Sequence, residues 1–157
     1  TFNLIYCMRI ALFEPDIPQN TGNIFRLGAC LGINIDIIEP TGYVFEDKRF
    51  KRSSMDYIKH IKYKRHLDWN NFFNWANKKK FTIILLTTKS QKKYTDYSFQ
   101  ENDILLFGRE SAGVPKYVHQ SVNEQLTIPM VKGLRSINVS SSVAIVAGEA
   151  CRQLNRL

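Results

Sequence analysis

Three short stretches of this 157-residue chain bring carboxamides, an arginine, a carboxylate and hydroxyls together at close spacing. The first is NTGNIFR, residues 20–26. Arg26 follows Asn23 by about one helical turn, so the two side chains share a helix face. Gly22 lets the main chain turn closely, and a helix starting here offers free N–H groups and a positive dipole to a phosphate. Read alone, Asn20 and Arg26 are a helix cap and a surface arginine. The second is FGRESAGVP, residues 107–115. Gly108 ends an apolar run at a point where a ligand can approach the main chain. Glu110 either pairs with an arginine or organises the loop. Read alone, the stretch is a glycine-rich turn. The third is IPMVKGLRSINVSSSVAIV, residues 128–146, which passes from a strand end through a polar elbow into an apolar helix. Gly133, Arg135, Ser136 and Asn138 occupy the elbow.

These clusters need elements to place them. Apolar runs predict strands over 9–13, 34–40, 81–88, 103–108 and 124–129. A helical period predicts helices over 21–32, 68–79, 114–122 and 138–154. Asn20 or Thr21 can cap the first, Gly32 ends it, and Asp68 caps the second. The strands are β-branched runs without polar alternation, interleaved with helices. That pattern predicts an α/β fold, a parallel-rich sheet covered by helices on both faces. Each polar cluster follows a predicted strand, at the edge where open parallel sheets bind ligands. The helix over 138–154 is apolar on nearly all sides, which predicts burial all round. In a domain this small a second subunit must supply part of that cover, so a homodimer with a twofold is expected.

The length suits one domain. Met8 reads as a natural start, which makes residues 1–7 an extension and 8–157 the domain. Hydrophobic residues are 44% and charged residues 23%, ordinary for a globular protein. The three cysteines form no CxxC pair, and Cys30 and Cys151 fall on apolar helix faces as small core residues. This usage points to a reducing, cytoplasmic setting. The longest apolar runs are too short to span a bilayer. Histidines 60, 66 and 119 are dispersed, so no metal site is expected. The phosphate-loop, dinucleotide, nucleophile-elbow and zinc-protease motifs are absent. Net charge is +8, concentrated in KRFKRSSMDYIKHIKYKRH (48–66), with KKK (78–80) and KSQKK (89–93) beside it. Such clustering marks either a lysine-rich surface or a polyanion footprint. Tyr57, His60 and Tyr63, set among the basic residues, suit base stacking or a half-buried role.

Together the three clusters resemble the three motifs of the SPOUT superfamily of RNA methyltransferases, in its 2′-O-ribose branch. N-x-G-N-x-x-R stands at Asn20 to Arg26, G-x-E-x-x-G-[LIV]-P at Gly108 to Pro115, and I-P-M-x-x-x-x-R-S-x-N-[LV]-S at Ile128 to Ser140. The order of the three is more specific than any one of them. EPDIPQNTGNIFRL and IIEPTGYVFEDKR resemble, more narrowly, the short bacterial enzymes that methylate the tRNA wobble nucleotide, cytidine or uridine.

The resemblance implies a deep trefoil knot in the C-terminal half and S-adenosylmethionine as cofactor. It implies cofactor contacts at Leu86, Thr87, Gly108, Glu110, Ile128, Leu134 and Ser136. It ties Asn20, Arg26, Glu110, Ser136 and Asn138 to catalysis or to holding the catalytic loop. RNA contacts are expected from Arg26, Arg49, Lys51, Arg52 and Arg135, and the partners are tRNA and a second copy of the chain. Arginine is nearly always charged, so Arg26 is expected to clamp a phosphate and orient the 2′-hydroxyl rather than to act as a base. The competing expectations are 2′-O-methylation at another tRNA or rRNA site, a non-catalytic knotted RNA binder, and a flavodoxin-like small-molecule binder.

Overall fold

RIALF is apolar on both sides of its alternation after Arg9, so it forms β1 (Arg9–Phe13) buried on both faces. The computed structural model describes residues 7–45 and 48–156. The heptapeptide expected to be an extension lies outside them apart from Cys7. After β1 the described chain runs α1 (Pro18–Leu31), β2 (Asn34–Ile38), α2 (Lys48–Ser54), β3 (Tyr63–His66), α3 (Trp69–Lys78), β4 (Thr82–Leu86), β5 (Asp103–Phe107), α4 (Lys116–Ser121), β6 (Glu124–Leu126) and α5 (Val139–Gln153). The strands form one sheet in the order β3-β2-β1-β5-β4-β6. Every pairing among them is parallel.

The two faces of the sheet divide the apolar residues by their period of two. Ile10, Leu12, Ile35, Ile37, Ile84, Leu105 and Phe107 pack with α1, α2 and α5 through Ile24, Phe25, Phe50, Val143, Val146 and Ala150. Ala11, Phe13, Ile38, Ile83, Leu85, Ile104 and Leu106 pack with α3 and α4 through Trp69, Phe72, Ala76 and Val118. Each such fully buried aliphatic or aromatic side chain contributes roughly 1.5–3 kcal/mol. The expected α/β layering is therefore the observed one.

Several bounds differ from expectation. β3 went unpredicted because YKRH has no apolar run: Tyr63, Lys64 and Arg65 are exposed, and only His66 is buried. It is an edge strand held by pairing with β2. His66 also meets the fully buried Asp36 at 2.8 Å. Arg9 meets the same carboxylate at 2.6 Å, so this buried charge is paired from both neighbouring strands. α2 and the 3-10 turn Tyr57–His60 lay hidden in the basic tract. β6 ends at Leu126, so Ile128 belongs to a loop. Cys30 is exposed, on the side of α1 away from buried Gly28, and is not a core residue. α5 buries only one stripe, Val143, Val146, Ala147, Ala150 and Cys151. Ser141, Ala144 and Ile145, on the opposite stripe, are exposed in the single chain.

Candidate active site

β1 and β5 lie side by side at the centre of the sheet, with Leu12 opposite Phe107. The chain leaves β1 towards β2 on one side and reaches β5 from β4 on the other, which makes this the switch point of the sheet. The loops after β1 and β5 therefore emerge together. After β1 the helix begins earlier than expected. Pro18 occupies its first turn, where a missing N–H and a fixed φ favour helix initiation, and extended Ile17 is the N-cap. Neither Asn20 nor Thr21 is the cap. Asn20 instead lies inside the first turn, 6% exposed, and faces the sheet edge.

One hydrogen-bond chain joins the three motifs. Asn138 is the N-cap of α5, its Oδ1 accepting from the main-chain N–H of Ser140 at 2.9 Å and of Ser141 at 3.3 Å. The Ser140 hydroxyl donates to the same oxygen at 2.7 Å. That fixes which end of the carboxamide points where: the Asn138 Nδ2 must face away from the helix, and it donates to Asn20 Oδ1 at 3.1 Å. Asn20 is thereby oriented in turn, and its Nδ2 donates to Glu110 Oε1 at 3.3 Å. The other oxygen, Glu110 Oε2, accepts from the Asp16 main-chain N–H at 2.9 Å. Glu110 organises its loop and takes no arginine as partner among the described residues. Burial is the main reason its carboxyl is pushed above the ordinary range, with the adjacent Asp16 carboxyl second.

The turn after β5 is closed by main-chain bonds in both directions between Arg109 and Gly113, at 3.0 and 2.9 Å. Gly113 adopts a left-handed φ of +65°, which favours glycine. A Cβ on Gly108 would stand 2.7 Å from the Gly113 main chain. Gly108 is thus required by the turn itself. Arg109 reaches back to the loop after β1, with Nη1 3.8 Å from Glu14 and Nε 4.0 Å from Asp16.

A cleft of about 410 Å³ opens between the loops after β4 and β5 and residues 127–139. Leu86, Thr87, Gly108, Glu110, Ile128, Ser136, Asn138 and Asn20 all line it. Leu134 does not, and it stands 69% exposed. Lining residues that the sequence reading passed over include Thr88, Lys89, Met130 and Ile137. Thr88 and Lys89 were within reach, because they follow the most apolar strand. Asp16 carried no signal in the turn-rich EPDIPQN.

Arg26 lies elsewhere. It lines a separate groove of about 430 Å³ with Gln19, Asn23, Arg49, Arg52, Ser53 and Met55. Its guanidinium sits 5.4 Å from the centre of the Tyr57 ring. Gly22 makes this groove possible. A Cβ there would fall 2.3 Å from Ser53 Cβ and 2.8 Å from the Ser54 nitrogen. The bare glycine lets α2 close on α1 and sets Arg49 and Arg52 beside Arg26. Gly22 is a helix-packing residue, and not the bend before a helix that the sequence suggested. Lys51 and Arg135 are exposed and line neither space. Among the described residues no cluster of His, Cys, Asp or Glu could hold a metal ion. No helix among them is long and apolar enough to cross a membrane.

A parallel sheet with three loops closing on one cleft at its C-terminal edge defines an α/β domain built to hold a small ligand. The chain belongs to the SpoU rRNA Methylase family, whose profile matches residues 7–148. It is 45% identical over 148 residues to a protein of Beijerinckia indica subsp. indica named tRNA (cytidine(34)-2′-O)-methyltransferase, covering 94% of this chain and 92% of that one. A protein of the same name from Escherichia coli (strain K12) is 40% identical over 149 residues, covering 94% of each. A solved structure described as giving structural insights into the 2-OH methylation of C/U34 on tRNA superposes with a TM-score of 0.91 at 32% identity. That match covers 96% of this chain and 98% of the other.

Proposed function

We propose that this chain transfers a methyl group from S-adenosylmethionine to the ribose 2′-hydroxyl of the wobble nucleotide, cytidine or uridine, in a tRNA anticodon loop. The observation that carries the reading is the bonded series Glu110–Asn20–Asn138, which fastens three distant motifs beside one cleft. The relatives at 45% and 40% identity favour tRNA as substrate over the rRNA of the family's description.

The cleft fits such a cofactor. Its volume of about 410 Å³ lies in the range of small-molecule sites. Its walls alternate apolar side chains (Leu86, Ile128, Val139) with hydroxyls (Thr87, Ser136) and the bare main chain of Gly108. S-adenosylmethionine, when bound, supplies an electrophilic methyl group on a sulfonium sulfur. The protein's task is then to orient a 2′-hydroxyl and to ease loss of its proton. Arg26 stays charged, so it orients the hydroxyl and grips phosphate with Arg49 and Arg52, whose groove it shares. Lys51, next to Arg52, and Arg135, next to the cleft-lining Ser136, are exposed and add positive charge for the RNA. Ser136 hydrogen-bonds the ribose or the cofactor carboxylate. Leu134 is given no side-chain contact.

Arg26 lies outside the cleft of its own chain, which favours a homodimer. A second copy laid on the exposed Ser141, Ala144 and Ile145 stripe covers an apolar face. In this reading the arginine groove of one protomer serves the cleft of its partner. The knotted threading implied by the family is part of the same reading, supported by residues 127–139 lining the cleft of the β4 and β5 loops. We place the protein in the cytoplasm, with its tRNA substrate.

The test is a labelled-methyl assay on unmodified tRNA followed by nucleoside mapping. Label in 2′-O-methylcytidine or 2′-O-methyluridine at the wobble position is the expected result. Label at another position overturns the assigned site, and no label with intact cofactor binding leaves an RNA binder. Arg26→Ala should lower transfer by about 100-fold while calorimetry shows unchanged cofactor affinity.

A further inference from the structure

Two carboxyls stand side by side at the cleft, Glu110 in its wall and Asp16 next to it outside the lining. Glu110 is held by Asn20 and by the Asp16 main chain. The Asp16 side chain accepts from the Ser111 hydroxyl through Oδ2. Its Oδ1 is buried and meets no hydrogen-bond donor among the described residues. The Asp16 main chain binds the Glu110 carboxyl at 2.9 Å, and the Asp16 side chain takes the hydroxyl of the next residue, Ser111, so the two carboxyls are neighbours. A buried acceptor left without a donor is destabilising, and two adjacent carboxylates cannot both ionise without repulsion. One proton between them removes both penalties. The loop after β2 rests on the same residue. Gly42 donates its N–H to Pro15 at 2.9 Å, and a Cβ on Gly42 would lie 2.6 Å from Asp16 Cβ.

We propose that Asp16 is a positioning residue of this site: it shares one proton with Glu110 and couples the 41–43 loop to the cleft wall. Burial, and then Asp16, push the Glu110 carboxyl up, while the bond from Glu110 holds that of Asp16 down. Asp16 Oδ1 lacks a donor among the described residues while its Oδ2 takes the Ser111 hydroxyl, so the shared proton is assigned to Glu110, which can supply that missing donor. The charges facing the pair agree with this. Arg109 is divided between Asp16 and Glu14, so no arginine among the described residues is left to pair with an ionised Glu110. Lys89 and His119 line other walls of the cleft, and α1 and α5 present only the neutral Asn20 and Asn138. Because the folded value for Glu110 is raised, its contribution is complete at acid pH and is lost as pH rises through that value. Deprotonation then drives the two carboxylates apart and loosens the wall. The effect on turnover rests on the methyl-transfer reading; the shared proton does not.

Infrared difference spectra of the full chain test this without cofactor or tRNA. Above the ordinary carboxylate range, the wild type should show a protonated-carboxyl band that Glu110→Gln removes. Asp103, raised to about 6 by burial, contributes a band common to all variants. Asp16→Asn should also remove the Glu110 band, because the new carboxamide donates to an ionised Glu110. Absence of any band sensitive to Glu110→Gln, or its persistence in Asp16→Asn, overturns the proposal. Should Asp16→Asn not fold, the Glu110→Gln comparison still decides where the proton is. Gly42→Ala, which presses the loop onto Asp16, should move the midpoint at which the band titrates; an unmoved midpoint overturns the coupling. Cofactor affinity by calorimetry should fall on the alkaline side in the wild type and stay flat in Asp16→Asn. Loss of methyl transfer with the infrared result intact would count against the proposed function alone.

Discussion

Asn138 uses both ends of one carboxamide. Its oxygen caps α5, and its nitrogen sets the orientation of Asn20 across 118 residues of chain. The two uses can be separated. Asn138→Ala removes both and should cost about 1–2 kcal/mol, the ordinary worth of a cap, in chemical denaturation. Asn138→Asp keeps an acceptor for the helix amides and removes the donor to Asn20. Its loss of stability should be smaller than that of Asn138→Ala, because the cap is kept, while calorimetry shows cofactor affinity weakened to the same extent as in Asn138→Ala. If the aspartate variant binds cofactor normally, the cap and not the relay is what the cleft requires.

Among the elements, the contact of α1 with α2 carries the arginine groove. Gly22→Ala forces a Cβ into Ser53, and such overpacking costs about 1–3 kcal/mol. The groove should open, so tRNA affinity in a filter-binding assay should drop while cofactor affinity is kept. Elements of this fold were legible in the sequence to the extent that burial dictated residue type. β1, β4 and β5 are apolar on both faces, as is β2 apart from the buried Asp36, and they read directly as parallel strands. Asp68 capping α3 read equally well, since its carboxylate accepts the Asn71 N–H at 2.8 Å. β3 and α2 did not, because their exposed lysines and arginines satisfy solvent and their order comes from neighbours. Within the site, Asn20, Glu110 and Asn138 were visible as motif residues. Their bonding order was not, since it depends on the cap fixing one carboxamide and passing its direction on. Asp16 was invisible for a related reason: its partner lies 94 residues away, and no local pattern marks it.

For the molecule as a whole, the open stripe of α5 is the surface on which the proposed dimer rests. Ile145 is 37% exposed and lies opposite the stripe that fills the core. Ile145→Lys should leave the fold of the single chain intact, because the side chain meets solvent there. In analytical ultracentrifugation it should convert the proposed dimer into a monomer, and methyl transfer should fall about 100-fold with it if the partner's arginines complete the site. A variant that stays dimeric, or a monomer that keeps full activity, would place the interface elsewhere. The capping bond of α5 also has a bearing on time. The ribosome delivers Asn20 early and Glu110 much later, yet neither amide end of Asn20 is assigned until the fifteen-residue helix Val139–Gln153 has coiled behind Asn138. Readiness to hold a ligand therefore waits on a helix that follows both earlier motifs in the chain, and a nascent chain that stops short of it carries those motifs without the bond that orients Asn20.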